Sequence, residues 1–363
     1  MPTIPEQWLP GSLGDRTTDT DRSALVAGAI GALTLAGVAV GFLVQSSLTA
    51  VFLLGFLVVV GFGWYAHQAE TAKALTFLAT AFTVAVMGLI IVFLFREAWP
   101  VFELMGLDLI TRINPGEAGL WDTASSVYSL TPMIWGTVVT TILAMAIAGP
   151  LGIASAVFLA EIAPGWLRDI VKPGVEILAG IPSIVYGWLG FIVINGYFSR
   201  SDTFDLASNG SLVVAGMVIG LMALPTVVSV AEDALTSIPE SMKSGSLALG
   251  STEWQTTMGI TIPAAFSGVS AAVLLGVGRA VGETMAATVI LANVTEFPGP
   301  LFDAFDNTIT LTSVIANQYG VAQGLHLSAL FGAGVVLFVT VLFLSIGSQL
   351  IEERMERNLG GNQ

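Results

Sequence analysis

Two opposite charges, Arg279 and Glu283, stand four residues apart in an otherwise uncharged stretch, GVGRAVGETMAATVILAN at 276–293. In a continuous helix this spacing places both side chains on one face, where they can pair. Ionisable residues inside a membrane span are costly unless they are paired or face water, so both are candidates for function. A guanidinium binds a phosphate-like anion through two parallel hydrogen bonds. The nearby carboxylate would weaken the field enough for the anion to leave.

A purely structural role for the two charges is the alternative. The pair would then pack helices together, or lie near the water interface, where its cost is small. Three glycines around the pair allow another helix to approach closely, which favours function: Gly276, Gly278 and Gly282. Thr284 is a further candidate for the substrate pathway, because its hydroxyl follows the pair directly.

A second candidate is the IPS motif at 181–183. Pro182 is expected to break or kink a helix, and freed backbone amides or the Ser183 hydroxyl would then face an anion. The more conservative interpretation is a helix that starts there with proline in its first turn. No clustering of His, Asp or Glu indicates a metal site or a catalytic centre, and the absence of cysteine excludes thiolate chemistry.

The elements that position these residues are membrane spans. Hydrophobic residues make up 54% of the 363 residues, charged residues 10%, and the mean hydropathy is +0.84. This composition excludes an ordinary soluble domain and predicts an all-α polytopic membrane protein. Hydropathy gives eight candidate spans, near residues 24–45, 48–66, 74–95, 134–160, 171–197, 210–231, 264–292 and 326–350.

Basic residues favour the cytoplasmic side of a membrane and so predict the orientation. With both termini inside, three basic residues lie outside, namely Arg96, Arg112 and Arg200. Eight lie inside, namely Arg16, Arg22, Lys73, Arg168, Lys172, Lys243, Arg354 and Arg357. The net charge of -14 belongs to loops and tails and suggests a halophilic source, since high salt screens self-repulsion.

The spans divide into an appended pair and a six-helix domain. We expect a cytoplasmic tail at 1–23, an extra transmembrane hairpin at 24–66, a transmembrane domain at 74–350 and a cytoplasmic tail at 351–363. In the hairpin, Gly37 and Gly41 provide a small-residue face for close packing.

The largest inner segment is the loop at 232–263. Ser237 with Glu240 three residues later forms the pattern of a capping box, which predicts a helix over about 238–249. Gly250 suits the left-handed residue that ends such a helix.

The capping pattern occurs a second time in this loop. Thr252 with Gln255 predicts another helix that leads toward the membrane at Pro263. From local features alone, the loop is a well-capped connector between spans.

The order of residues in the loop resembles the EAA loop of ATP-binding cassette (ABC) importer permeases. Gly250 is followed by nine residues and then by Ile260, Thr261, Ile262 and Pro263, close to the family pattern. The E-A-A positions depart from it and hold Ser244, Gly245 and Ser246. The resemblance implies a coupling helix that docks on an ATPase subunit. Because the chain has no G-x-x-x-x-G-K-[ST] phosphate loop, the ATPase would be a separate protein.

The charged stretch resembles the PstC-type permeases of phosphate importers more than their PstA-type partners. Three further stretches agree in order and spacing: GTVVTTILAMAIAGPLGIASAVFLAEIAP at 136–164, LAGIPSIVYGWLGF at 178–191 and LTSVIANQYGVAQGLHLSAL at 311–330. The resemblance covers about 74–350 and implies the transmembrane domain of a type I ABC importer.

What this resemblance implies is a subunit of a larger machine in the plasma membrane. Its partners would be a PstA-type permease, two ATPase subunits and an extracytoplasmic phosphate-binding protein, with ATP and magnesium bound by the partners and no cofactor by this chain. Arg279 and Glu283 would act on phosphate. The alternatives are an importer for sulfate, molybdate or another oxyanion, an ion-coupled secondary transporter, and a membrane scaffold or sensor.

Overall fold

The computed structural model describes residues 22–200 and 210–359, and the predicted tail at 1–23 lies almost wholly outside this part. The chain separates into two compact units, Met1–Val92 and Phe93–Gln363. The division falls inside one long helix, whereas the sequence places the boundary between 66 and 74.

The described residues contain six helices that are long and apolar enough to cross a membrane, or eight spans when two bent helix pairs are counted. The long helices are Ser23–Leu43, Leu48–Ala66, Gln68–Met105, Thr131–Ile162, Leu212–Thr236 and Gly324–Leu350. The first bend interrupts the predicted span at 171–197. The second lies at the start of the predicted span at 264–292, which is itself interrupted where α13 ends at Val281.

The first unit consists of α1 (Arg22–Leu43), α2 (Leu48–Ala66) and the first part of α3 (Gln68–Met105). Small residues let α1 and α2 pack closely, since a Cβ on Gly37 would lie 2.5 Å from the Phe52 ring. A Cβ on Gly41 would likewise lie 2.7 Å from Thr49 Oγ1. These contacts confirm the predicted small-residue face of the hairpin.

The second unit contains the rest of α3 and most of the helices. In chain order these are α4 (Asp108–Thr111), α5 (Thr131–Val157), α6 (Gly165–Gly180), α7 (Ser183–Leu189), α8 (Gly196–Phe198), α9 (Leu212–Thr236), α10 (Glu240–Ala248), α11 (Glu253–Thr256), α12 (Ile262–Ala264), α13 (Phe266–Val281), α14 (Met285–Leu291), α15 (Leu311–Gln318) and α16 (Gly324–Leu359). Single π-helical segments extend α5, α7 and α11 over Phe158–Ile162, Gly190–Asn195 and Thr257–Thr261.

A short antiparallel hairpin, β1 (Trp121–Asp122) and β2 (Val127–Tyr128), precedes α5. Its aromatic rings lie edge to face, with the centroids of Trp121 and Tyr128 5.0 Å apart. Tyr128 is buried in a core cluster shared by α3, α15 and α16. The hairpin thereby anchors this otherwise irregular segment to the helices.

The centre of the second unit is α9, which packs closely along α5. A Cβ on Gly216 would clash with Leu143 Cβ, and a Cβ on Gly220 would lie 2.8 Å from the Ala144 carbonyl oxygen. Most of α9 is buried, as expected for a helix that is apolar on all sides and surrounded by others. This pair is the scaffold on which the interrupted helices lie.

Three interruptions shape the remaining spans. The helices on either side of Ile181 and Pro182 meet at 88°, because proline disfavours a helical conformation of the preceding residue and lacks an amide donor. The segment Glu253–Ala264 meets α13 at 71°. α13 then ends at Val281, so that Arg279 lies in its last turn and Glu283 lies beyond it.

Candidate functional site

Arg279 is exposed and is held by α9. Its Nε donates a hydrogen bond to the Met222 carbonyl oxygen at 3.0 Å. Pro225, three residues further along α9, lacks an amide hydrogen, so the Leu221 carbonyl oxygen, one residue before Met222, loses its helical donor. Arg279 therefore binds α9 beside a break in its hydrogen-bond ladder. In the described part of the chain, neither terminal nitrogen of Arg279 has a hydrogen-bond partner, so both remain open to a ligand.

Glu283 does not pair with Arg279, and the predicted pair is wrong for this conformation. The ion pairs of the described residues do not include it. The reason is the end of α13 at Val281, with Gly282 as its C-cap, because a four-residue spacing shares a face only in a continuous helix. Glu283 Oε1 instead accepts a hydrogen bond from the Ala286 amide at 3.1 Å, at the start of α14. A carboxylate is favoured there by the exposed amides.

The other two predicted pathway residues, Thr284 and Ser183, differ in their availability. The Thr284 hydroxyl donates to the Gly282 carbonyl oxygen at 3.2 Å and is engaged locally. Ser183 is the first residue of α7 and is half-buried, and its hydroxyl has no hydrogen bond to any residue in the described ranges. Because Pro182 is the N-cap, the structure shows both a break between two helices and a helix start, so the two interpretations of the motif describe one feature.

α7 and α14 pack directly against each other. A Cβ on Gly187 would lie 2.7 Å from the Ala286 Cα, so only glycine permits this approach. The helix that starts at Ser183 therefore lies against the short helix that follows Glu283. No hydrogen bond joins Ser183 to Arg279 in the residues described. Of the three glycines near the charges, only Gly276 makes a tight helix contact, with a Cβ position 2.7 Å from Val227 Cγ2.

A cleft of about 530 Å³ runs along α13 and α16 and has Arg279 in its lining. Most of its lining is apolar, but three polar side chains of α16 also contribute, namely Ser345, Ser348 and Gln349. These residues were not singled out from the sequence. The signal for them is their spacing of three and four residues, which places them on one face of a span. Gly278 borders the same cleft, where a Cβ would meet nothing within 4 Å.

The loop at 232–263 contains the two predicted helices, with one cap corrected. α10 has Pro239 as its N-cap, and the Ser237 hydroxyl donates to the Ala234 carbonyl oxygen at 2.7 Å. The first capping box is therefore wrong, because Ser237 ends α9 instead of beginning α10. Gly250 has φ +92°, which confirms the left-handed residue.

The second capping box is present. The Thr252 side chain accepts from the Gln255 amide at 3.3 Å, and the Gln255 side chain accepts from the Thr252 amide at 2.9 Å. α11 and its π-helical extension carry Ile260, and α12 carries Pro263, immediately before the bend into α13.

The three residues at the E-A-A positions lie in α10 and are not buried. The Ser244 hydroxyl donates to the Ser241 carbonyl oxygen at 3.3 Å within the helix, and a Cβ on Gly245 would meet nothing within 4 Å. Ser246 joins the two helices of the loop, since its Oγ accepts from Thr256 Oγ1 at 3.0 Å. Within residues 22–200 and 210–359, no group of three His, Asp or Glu could hold a metal ion.

Known proteins are similar to this chain in sequence and in fold. The family model of the binding-protein-dependent transport system inner membrane component matches residues 148–357, more than half of the chain. The probable ABC transporter permease YqgH of Bacillus subtilis is 36% identical over 68% of this chain and 78% of its own length. The phosphate transport permease PstC of Pasteurella multocida is 33% identical over 72% of this chain and 85% of its own length. The probable PstC of Methanocaldococcus jannaschii is 33% identical over 77% of this chain and 92% of its own length.

Solved ABC transporters have a similar fold. A chain of the MetNI methionine ABC transporter has a TM-score of 0.50 at 18% identity, over 62% of this chain and 95% of that chain. A chain of a bacterial alginate ABC transporter has a TM-score of 0.52 at 15% identity, over 81% and 98%. The fold is that of the type I ABC importer permeases, and the chain is a multi-pass membrane component of a transporter. It belongs to the binding-protein-dependent transport system inner membrane component family.

Proposed function

We propose that this chain is a permease subunit of an ATP-driven phosphate importer. The observation that carries the proposal is the geometry of Arg279, which uses Nε to hold α9, lines a cleft, and has no hydrogen bond at either terminal nitrogen within the described residues. A guanidinium stays charged at any relevant pH and binds phosphate oxygens through two parallel hydrogen bonds. The relatives named as phosphate transport permeases support this choice of anion.

Release of the anion is the task assigned to Glu283. Its carboxylate lies four residues from Arg279 in the chain and lowers the local positive potential without neutralising the guanidinium in an ion pair. A site that binds weakly enough to empty is required for transport. Ser183, whose hydroxyl is not engaged in the described residues, is the hydroxyl donor in this proposal, and Thr284 would join it by releasing the Gly282 carbonyl oxygen.

The proposed partners are a homologous PstA-type permease, two ATP-binding cassette ATPases and an extracytoplasmic phosphate-binding protein. ATP and magnesium would bind to the ATPases. Apolar side chains exposed on and just after α10 support a docking surface there, since such patches mark interaction sites. These side chains are Met242, Leu247 and Leu249.

The orientation in this proposal places both termini and the loop 232–263 in the cytoplasm, with the chain in the plasma membrane. The ATPases would then contact α10 from inside. The coupling residues would be Ser244, Gly245, Ser246, Gly250, Ile260 and Pro263. The acidic segments outside repel free phosphate, which agrees with delivery by a separate binding protein.

Reconstitution of the complete complex in liposomes tests this function. Phosphate import should require ATP, the ATPases and the binding protein, and excess sulfate or molybdate should not compete. Arg279→Ala should abolish import while the subunits still co-purify, and Arg279→Lys should restore little, because an ammonium lacks the two-pronged geometry. Arg200→Ala, which removes an exposed arginine elsewhere, is the matched control and should import normally. Import by the subunit alone, or competition by sulfate, would refute the proposal.

A further inference from the structure

The coupling helix α10 is tied to the end of a different span by a nearly buried ion pair. Lys243 Nζ lies 2.8 Å from Glu161 Oε1, and the two side chains are only 12% and 11% exposed. Glu161 belongs to the π-helical segment that ends α5, 82 residues earlier in the chain. Lys243 also lies 3.6 Å from Glu240, but that carboxylate is 88% exposed and is screened by solvent.

The end of α5 to which Lys243 binds is held firmly. Arg168 Nε donates to the Leu159 carbonyl oxygen and its Nη2 to the Ala160 carbonyl oxygen, both at 2.7 Å. These two bonds satisfy carbonyl groups that the helix end leaves without partners. A displacement of Lys243 therefore acts on a fixed helix end and not on a loose segment.

From α5 the contacts lead to the arginine of the proposed anion site. The Val227 side chain of α9 fits between two glycines, with Cγ1 2.7 Å from the Cβ position of Gly152 in α5 and Cγ2 2.7 Å from that of Gly276 in α13. Gly276 lies three residues before Arg279, and α9 also holds Arg279 through the Met222 carbonyl oxygen. Tightly packed interiors transmit displacement because no space absorbs it.

The path along the chain from α10 to Arg279 is less direct. It passes the turn at Gly250, a π-helical segment at Thr257–Thr261 and a bend of 71° before α13. Each of these is a place where a helix changes direction. The ion pair bypasses all three.

We propose that Lys243 and Glu161 couple the docking helix α10 to Arg279 through α5 and α9. Both are positioning residues, since neither lies at the anion site. The proposal rests on the proposed function, because it names the connection through which ATPase motion reaches the site. Contact alone does not establish coupling, so the test must measure the interaction between the two residues.

The test is a charge-exchange cycle in the reconstituted complex. Lys243→Glu and Glu161→Lys are made singly and together, and phosphate imported per ATP hydrolysed is measured. Each single change should lower this ratio at least about fivefold, while the double change should return it to within about twofold of the original. Lys73→Glu with Glu70→Lys, an exposed pair in the first unit, is the control and should leave the ratio unchanged.

Assembly of each variant is monitored by co-purification of the ATPase subunits. A merely structural role would lower import and hydrolysis together and leave their ratio constant, which would overturn the proposal. If the reversed-charge variants do not assemble, Lys243→Met and Glu161→Gln remove the pair without adding a repulsive charge, and each should still lower the ratio. The proposal would be overturned if the single variants kept the original ratio of phosphate imported to ATP hydrolysed. It would also be overturned if the double variant had as low a ratio as the single variants. In either case the proposed function would stand. If instead the complex without any substitution hydrolyses ATP but imports no phosphate, the proposed function is refuted.

Discussion

Gly250 lies at the turn between α10 and α11, and replacing it with valine is the sharpest test of the coupling role proposed for this loop. Its φ of +92° lies outside the region that residues with a Cβ adopt readily. A Cβ built there meets no other atom within 4 Å, so the cost of Gly250→Val is backbone strain without a clash. Left-handed conformations cost about 1 to 2 kcal/mol for an ordinary residue.

That cost changes the population of the native turn by a factor of about 5 to 30. α10 would then take other angles relative to α11 about 5 to 30 times more often, and ATP hydrolysis would move the spans less reliably. We expect phosphate imported per ATP to fall several-fold in liposomes, with nearly unchanged basal hydrolysis. Gly250→Asn should be milder, because asparagine tolerates positive φ.

The matched control is Gly119, which also has positive φ, +79°, and open space around its Cβ position. It lies seven residues after Arg112, which the sequence predicts to be outside, so Gly119→Val imposes similar strain away from the loop. It should leave the coupling ratio unchanged. If Gly250→Val kept the original ratio, or Gly119→Val reduced it equally, the hinge role of Gly250 would be refuted.

Two further predictions concern the carboxylates of Glu232 and Glu283. Lys172→Met leaves the carboxylate of Glu232, 3% exposed and 2.6 Å from Lys172 Nζ, without its main partner. The free energy of unfolding in detergent should fall by about 2 to 3 kcal/mol. This is less than for a fully buried pair, because Arg168 remains 4.0 Å from Glu232. An equal loss on replacing the exposed Lys73 with methionine would contradict this prediction. Glu283→Gln keeps the hydrogen bond to Ala286 and removes the charge, so phosphate should bind more tightly and leave more slowly, with both KM and kcat of import lowered. Unchanged values of both would exclude Glu283 from the release step.

Features set by local backbone chemistry were predictable from the sequence. The left-handed Gly250 and the Thr252–Gln255 capping box both depend on residues within a few positions of each other. The small-residue face of the N-terminal hairpin was also predictable, because Gly37 and Gly41 are spaced by one helical turn. The resemblance to importer permeases predicted the family that the relatives establish.

Features set by tertiary contacts were not predictable. Ser237 begins a capping pattern, yet α9 continues to Thr236 and uses Ser237 as its own end. The partner of Lys243 is 82 residues away, and no spacing rule connects it to Glu161. The three polar residues of α16 share one helical face, but only the cleft shows that Arg279 lies beside them.

The interruption between Arg279 and Glu283 changes what two nearby charges can do. In a continuous helix they would remain paired, and the guanidinium would be partly neutralised at every stage of transport. Because α13 ends at Val281, the two charged residues are hydrogen-bonded to different helices. Arg279 is fixed to the Met222 carbonyl oxygen of α9, whereas Glu283 caps α14 and its carbonyl oxygen accepts from Thr312 Oγ1 of α15 at 2.8 Å. A displacement of α9 relative to α14 and α15 therefore changes the field at the guanidinium, which is the property that a site must have to bind an anion and then release it.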